Sequence, residues 1–167
     1  SVFACCSAVN AGSLNTTSAC WFNSEQIHGM ETTIKDYEGL GFNHYQIEEI
    51  SKGLISKVDV SIYADKRFCW WQMYQIRKGL ESKVDVTIYA DPKFDEFQMG
   101  EIRKGLESKV NVSIYANKKF HCWQMREIRK GLESNIDVSI YADTKFDDFQ
   151  MREIRLALES KIYVSIF

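Results

Sequence analysis

Apolar and polar positions recur along this chain every 26 residues. Units begin at Phe42, Phe68, Phe94, Phe120 and Phe146, and the copies are nearly verbatim. Self-similarity at such a period marks units that bury an apolar side against their neighbours, as in a solenoid. In the unit from Phe94, Met99, Ile102, Gly105 and Leu106 share one side at the 3.6-residue period, which predicts a helix. Its start is written in the sequence. Asp95 as N-cap and Gln98 at N3 form a capping box, with Phe94 and Met99 as the hydrophobic staple. Asn23/Gln26, Asn43/Gln46 and Asp147/Gln150 repeat the box, whereas Cys69 and His121 are poorer caps. The recurring glutamine is therefore read as structural.

Gly53, Gly79, Gly105 and Gly131 each cost about 1 kcal/mol against Ala in a helix interior. A neighbouring backbone is expected to approach there, and Ala157 takes the place in the last unit. Arg77, Arg103, Arg129 and Arg155, each with a glutamate four residues on, are expected on the solvated side. Glu101, Glu127 and Glu153 are expected to form a solvated row as well.

The second half of the unit supports two elements. Val110, Val112, Ile114 and Ala116 alternate with polar residues, as in a half-buried strand. Alternatively, Asn111 (Asp59, Asp85 and Asp137 elsewhere) caps a short helix with Val112, Tyr115 and Ala116 inward. The equivalent stretch 32–39, TTIKDYEG, does not alternate, and it favours the helix. The expected fold is all-α, a helical-repeat solenoid, with a strand–helix (α/β) horseshoe as the alternative. Residues 1–21 lack the repeat and are expected to form an N-terminal cap. Residues 22–41 are a degenerate repeat and 42–167 five tandem repeats, all one domain.

Composition narrows the function classes. A net charge of −2 speaks against a phosphate-dominated nucleic-acid binder and against an acidic DNA mimic. The odd set Cys5, Cys6, Cys20, Cys69 and Cys122 does not follow the repeat, so free thiols in a reducing compartment are expected. No Lys or Arg precedes Lys35, as a secretory n-region would require, and no apolar run approaches membrane-span length. Ser1 reads as a start left by initiator-methionine removal. The expected location is the cytoplasm of a bacterium or of an infected host.

No phosphate loop or hydrolase signature occurs. Cys5, Cys6, Cys20 and His28 lack zinc spacing, and no group orients a His121–Cys122 pair as base and nucleophile. No enzyme, metal or cofactor is expected. One position stands out: Tyr45, Trp71, Phe97, Trp123 and Phe149 are always aromatic, although they lie opposite the apolar side of the helix. Such residues form either a second packing ladder or an exposed stripe for a partner. In the second case the site comprises these five with Trp70, at the helix N-terminal edge.

Segments such as 77–82 (RKGLES) and 88–95 (IYADPKFD) resemble a tandem repeat of bacterial proteins associated with mobile elements. The resemblance covers 42–167. Lys83, Lys109 and Asn135 stand where that repeat tends to carry Gly. It implies a helical repeat with a role in conflict between mobile elements and host defence, and transfers no catalytic residue. The expected function is a non-enzymatic protein-binding scaffold, an inhibitor or adaptor of a large complex such as an anti-CRISPR or anti-restriction target nuclease. The alternative is a reader of single-stranded nucleic acid, with Arg77, Arg103 and Arg129 on phosphates. At the C-terminus Leu156 replaces a Lys and Tyr163 an Asp. With Phe167 they suggest a homodimer through the last repeat.

Overall fold

A computed structural model describes residues 33–164, with side chains through Ser160. After a helical stretch over 33–39 (α1) come α2 (His44–Ile55), α3 (Trp70–Glu81), α4 (Glu96–Glu107), α5 (Cys122–Glu133) and α6 (Asp148–Val164). The described residues are all-α and contain no strand. The sequence-predicted cap 1–21 and most of the degenerate repeat 22–41 lie outside them.

Each helix starts as its sequence dictates. The Gln at N3 accepts the N-cap backbone N–H at 2.7–3.0 Å in all five units, even where Cys69 and His121 replace the better cap. Each of α2 to α5 ends in a Schellman motif. In α2, Lys57 N–H donates to Leu54 O and Val58 N–H to Gly53 O, with Lys57 at φ 55°. Lys83, Lys109 and Asn135 hold the same left-handed conformation, which favours Gly at these positions.

The ambiguous half resolves as a single 3-10 turn: Val60–Ile62, Val86–Ile88, Val112–Ile114 and Val138–Ile140. Asp59, Asp85, Asn111 and Asp137 cap these turns by accepting the backbone N–H two residues on. The alternation of Val110 to Ala116 therefore reflects a capped turn, with Val112 and Tyr115 buried.

Tyr63, Tyr89, Tyr115 and Tyr141 are fully buried, and each hydroxyl donates to a carbonyl of its own unit's helix, Tyr63 to Glu49 O at 3.1 Å. This corrects the expectation for the glycines. A methyl on Gly53, Gly79, Gly105 or Gly131 would overlap the tyrosine hydroxyl and a valine of the same unit, rather than a neighbouring backbone.

Consecutive helices α2 to α6 each pack on the next. Near their N-termini, Gln46 Nε2 donates to Phe68 O at 2.8 Å, and Gln72, Gln98 and Gln124 repeat the bond one unit on. At the C-termini, Ser56 Oγ donates to Glu81 Oε1 at 2.8 Å, repeated by Ser82, Ser108 and Ser134. Bonds joining like ends set neighbouring helices side by side in one direction. Ile50, Met73, Ile76, Met99 and their equivalents fill the core between them.

The last unit departs from this plan. α6 runs on to Val164, through Ser160 and Lys161, where the other units turn. Ala157 replaces the glycine that admits the tyrosine ring, and Tyr163 replaces the Asp that caps the 3-10 turn, so neither feature of the turn that follows the helix elsewhere is present. Leu156 is exposed, Tyr163 lies in the helix backbone, and Phe167 falls outside the described residues.

Candidate functional site

The arginine ladder is the first correction at the level of side chains. It is a buried seam between units, not a solvated row. Arg77 Nε donates to Glu49 Oε2 of the preceding unit at 2.9 Å, and Arg77 Nη1 to Glu81 of its own helix at 2.6 Å. Arg129 bridges Glu101 and Glu133, and Arg155 bridges Glu127 and Glu159, in the same way. Glu49, Glu101 and Glu127 are buried, and of the series only Glu153 is exposed. Burial acts to lower the Arg77 pKa, but Glu49 and Glu81 outweigh it and hold the guanidinium above its ordinary value. Burial acts to raise the Glu81 carboxyl, and bonds from Lys78, Ser56 and Arg77 hold it below the carboxylate range instead. Glu133 is depressed in the same way by Ser108 and Arg129. The recurrence of Glu, Arg and Ser in register was the available signal, but pairing across 28 residues is not visible in a single helix.

The aromatic position behaves oppositely. Tyr45, Trp71, Phe97, Trp123 and Phe149 occupy the second residue of their helices and are all exposed, from 46% for Trp71 to 70% for Phe149. They do not form a second packing ladder. Trp70 is half-buried, with its ring 5.4 Å from Tyr45 and 3.9 Å from Trp71 in stacked geometry. Arg126 lies over the Trp123 ring at 5.4 Å. The structure thus places all six predicted residues along one helix-terminal edge, and links Tyr45, Trp70 and Trp71 in one stack.

The loops that lead into this edge differ in charge. Asp65 pairs with Arg67, Asp91 with Lys93, and Asp143 with Lys145. Asn117 replaces the Asp in the fourth unit and His121 the acidic cap, so Lys118, Lys119 and Arg126 have no acid between 117 and 126. The third unit adds Asp95 and Glu96, and the fifth Asp147 and Asp148.

Burial pushes the Cys122 thiol pKa up, with Sγ 3.7 Å from His121 Nδ1, so the pair is not poised as an activated nucleophile. Among the described residues no group of His, Cys, Asp and Glu could hold a metal ion, and the Cys5, Cys6, Cys20 and His28 set lies outside them. No helix among the described residues is long and apolar enough to cross a membrane. Comparison with protein-family models, curated proteins and solved structures finds no match.

Proposed function

We propose that this chain is a non-enzymatic, protein-binding solenoid whose partner docks along the aromatic helix-terminal edge. The observation that carries the proposal is the exposure of one aromatic ring at the same place in every unit. Burial cannot account for that recurrence, and exposed Trp and Tyr in a row are the residues that dominate binding surfaces. An inhibitor or adaptor role toward a host-defence nuclease rests on the resemblance of the repeat, and a cytoplasmic setting on the odd cysteine set.

Single-stranded nucleic acid fits the edge less well. The arginines it would need on phosphates, Arg77, Arg103 and Arg129, are engaged in the seam. Asp95, Glu96, Asp147 and Asp148 also interrupt any continuous basic path.

The test is capture from the native host with the intact chain and with a Trp71→Ala/Trp123→Ala variant. A partner protein held by the first and lost by the second is expected. A partner retained by the variant would move the site elsewhere, and oligonucleotide binding with a steep salt dependence would favour the nucleic-acid class.

A further inference from the structure

We infer that the protein partner of the aromatic edge is a second copy of this chain, docked antiparallel about a two-fold axis between the third and fourth units. The inference rests on the edge being a protein-binding surface and adds which protein fits it. The carrying observation is the alternation of charge from unit to unit. In the loop that leads into the second unit Asp65 is spent on Arg67, which leaves the charge of Lys66 unmatched by an acid, its Nζ donating to Leu40 O at 2.7 Å. In the third, Lys93 is matched by Asp91, which leaves Asp95 and Glu96 beside Phe97. The fourth carries Lys118, Lys119 and Arg126 with no acid between 117 and 126, and Arg126 lies over the Trp123 ring. In the fifth, Lys145 is matched by Asp143, which leaves Asp147 and Asp148 beside Phe149, with Arg152 one turn further down.

An edge that reads basic, acidic, basic, acidic meets a second copy with opposite charges facing when reversed, whereas a same-direction pairing has to slip by one unit and does not close on itself. Reversed, third meets fourth, fourth meets third, and second meets fifth, so opposite charges face each other at every step. A same-direction pairing in register would set like against like, which is disfavoured. A closed two-fold contact of this kind is isologous and self-limiting. Tyr45 overhangs this four-on-four register, and its ring is already stacked on Trp70. The exposed rings supply the apolar part of the contact, and the charges set its direction.

The experiment uses the full chain, light scattering, and two variants that leave caps and seam intact: Lys118→Glu/Lys119→Glu, and Glu96→Lys. The intact protein is expected at twice its 19.4 kDa mass. Each variant alone sets like charge against like at both central contacts and should dimerise at least about tenfold more weakly. An equimolar mixture should recover a heterodimer, and so should the three substitutions in one chain, because both restore opposite charges in the antiparallel register. Far-UV circular dichroism of each variant checks that the helices persist. A monomeric mass throughout the micromolar range overturns the dimer. It leaves the edge reading to stand or fall on the Trp71→Ala/Trp123→Ala capture. A dimer indifferent to the charge variants but lost in Leu156→Lys overturns the inference in favour of the C-terminal face.

Discussion

The seam and the edge belong to the same helices, yet they obey different rules. In the seam, charged residues recur because each finds its partner in the next unit: Glu49 with Arg77, Glu101 with Arg129, Glu127 with Arg155. At the edge, apolar rings recur although no described residue buries them. The usual expectation, apolar inside and charged outside, is reversed at both places. Repetition by itself therefore says little about burial. What separates the regions is geometry: seam residues face the neighbouring helix along its length, while the second residue of each helix stands at the N-terminal edge and stays exposed.

One position inside the seam provides a built-in control. Gln75 stands where other units carry a buried Glu, and Arg103 donates to its amide oxygen at 3.0 Å. Arg77→Met leaves the buried Glu49 with only the half-exposed Lys52 as a charged partner, and should cost about 3 kcal/mol in urea unfolding. Arg103→Met loses a bond to the neutral Gln75 amide and a partly exposed ion pair with Glu107, strands no buried carboxylate, and should cost about 1 kcal/mol. Equal costs would mean that the seam is held by packing rather than by charge.

Gly105→Ala should cost about 2 kcal/mol, because the added methyl meets the Tyr115 hydroxyl and Val112 in a filled core. Tyr115→Phe in the same chain should recover part of that loss by removing the hydroxyl. No recovery would mean that the valine, and not the tyrosine, sets the clearance.

Acid is a weaker probe of the seam, since Glu81 and Glu133 keep partial contact with water. Their folded-state pKa values lie below the unfolded value of about 4.3–4.5. Their contribution is therefore fully present above that value and is lost as pH falls through the depressed folded values. Thermal melts should be insensitive to these two groups between pH 5 and 7 and should fall as pH drops below about 4.5. Glu81→Gln/Glu133→Gln should flatten that acid slope, and an unchanged slope would remove these carboxylates from the account.

How much of this was legible follows from what each feature needs. Helix starts were readable because the box of Asp95 and Gln98 is local, and the short capped turn at Asn111 was readable for the same reason. The seam was not, because a Glu and an Arg on one helix look like a solvated pair until the register between units is known. The glycine requirement was readable, but its cause was misassigned to a neighbouring backbone, since only the fold shows Tyr115 over its own helix. The left-handed turn was foreshadowed by the residues that depart from Gly. Lys109 at φ 59° should be stabilised by Lys109→Gly by about 1 kcal/mol, with a higher urea midpoint as the check.

The smallest expected effect discriminates best between seam and edge. Trp71 and Trp123 each keep about half their surface in water and lie outside the core cluster. Truncating them should forfeit little burial, so Trp71→Ala and Trp123→Ala should each change unfolding free energy by less than about 1 kcal/mol. A tryptophan in a core costs about 3–5 kcal/mol on the same substitution. Trp70 supplies an internal contrast, because it is wedged between Tyr45 and Trp71 and its loss disrupts the stack. Trp70→Ala should therefore cost more than Trp71→Ala while lying one residue away. Denaturant titrations of the three variants, read for both midpoint and slope, check the order. If Trp71→Ala or Trp123→Ala reached the core range, the recurring rings would be structural after all, and the edge would lose the one property that distinguishes it from the seam.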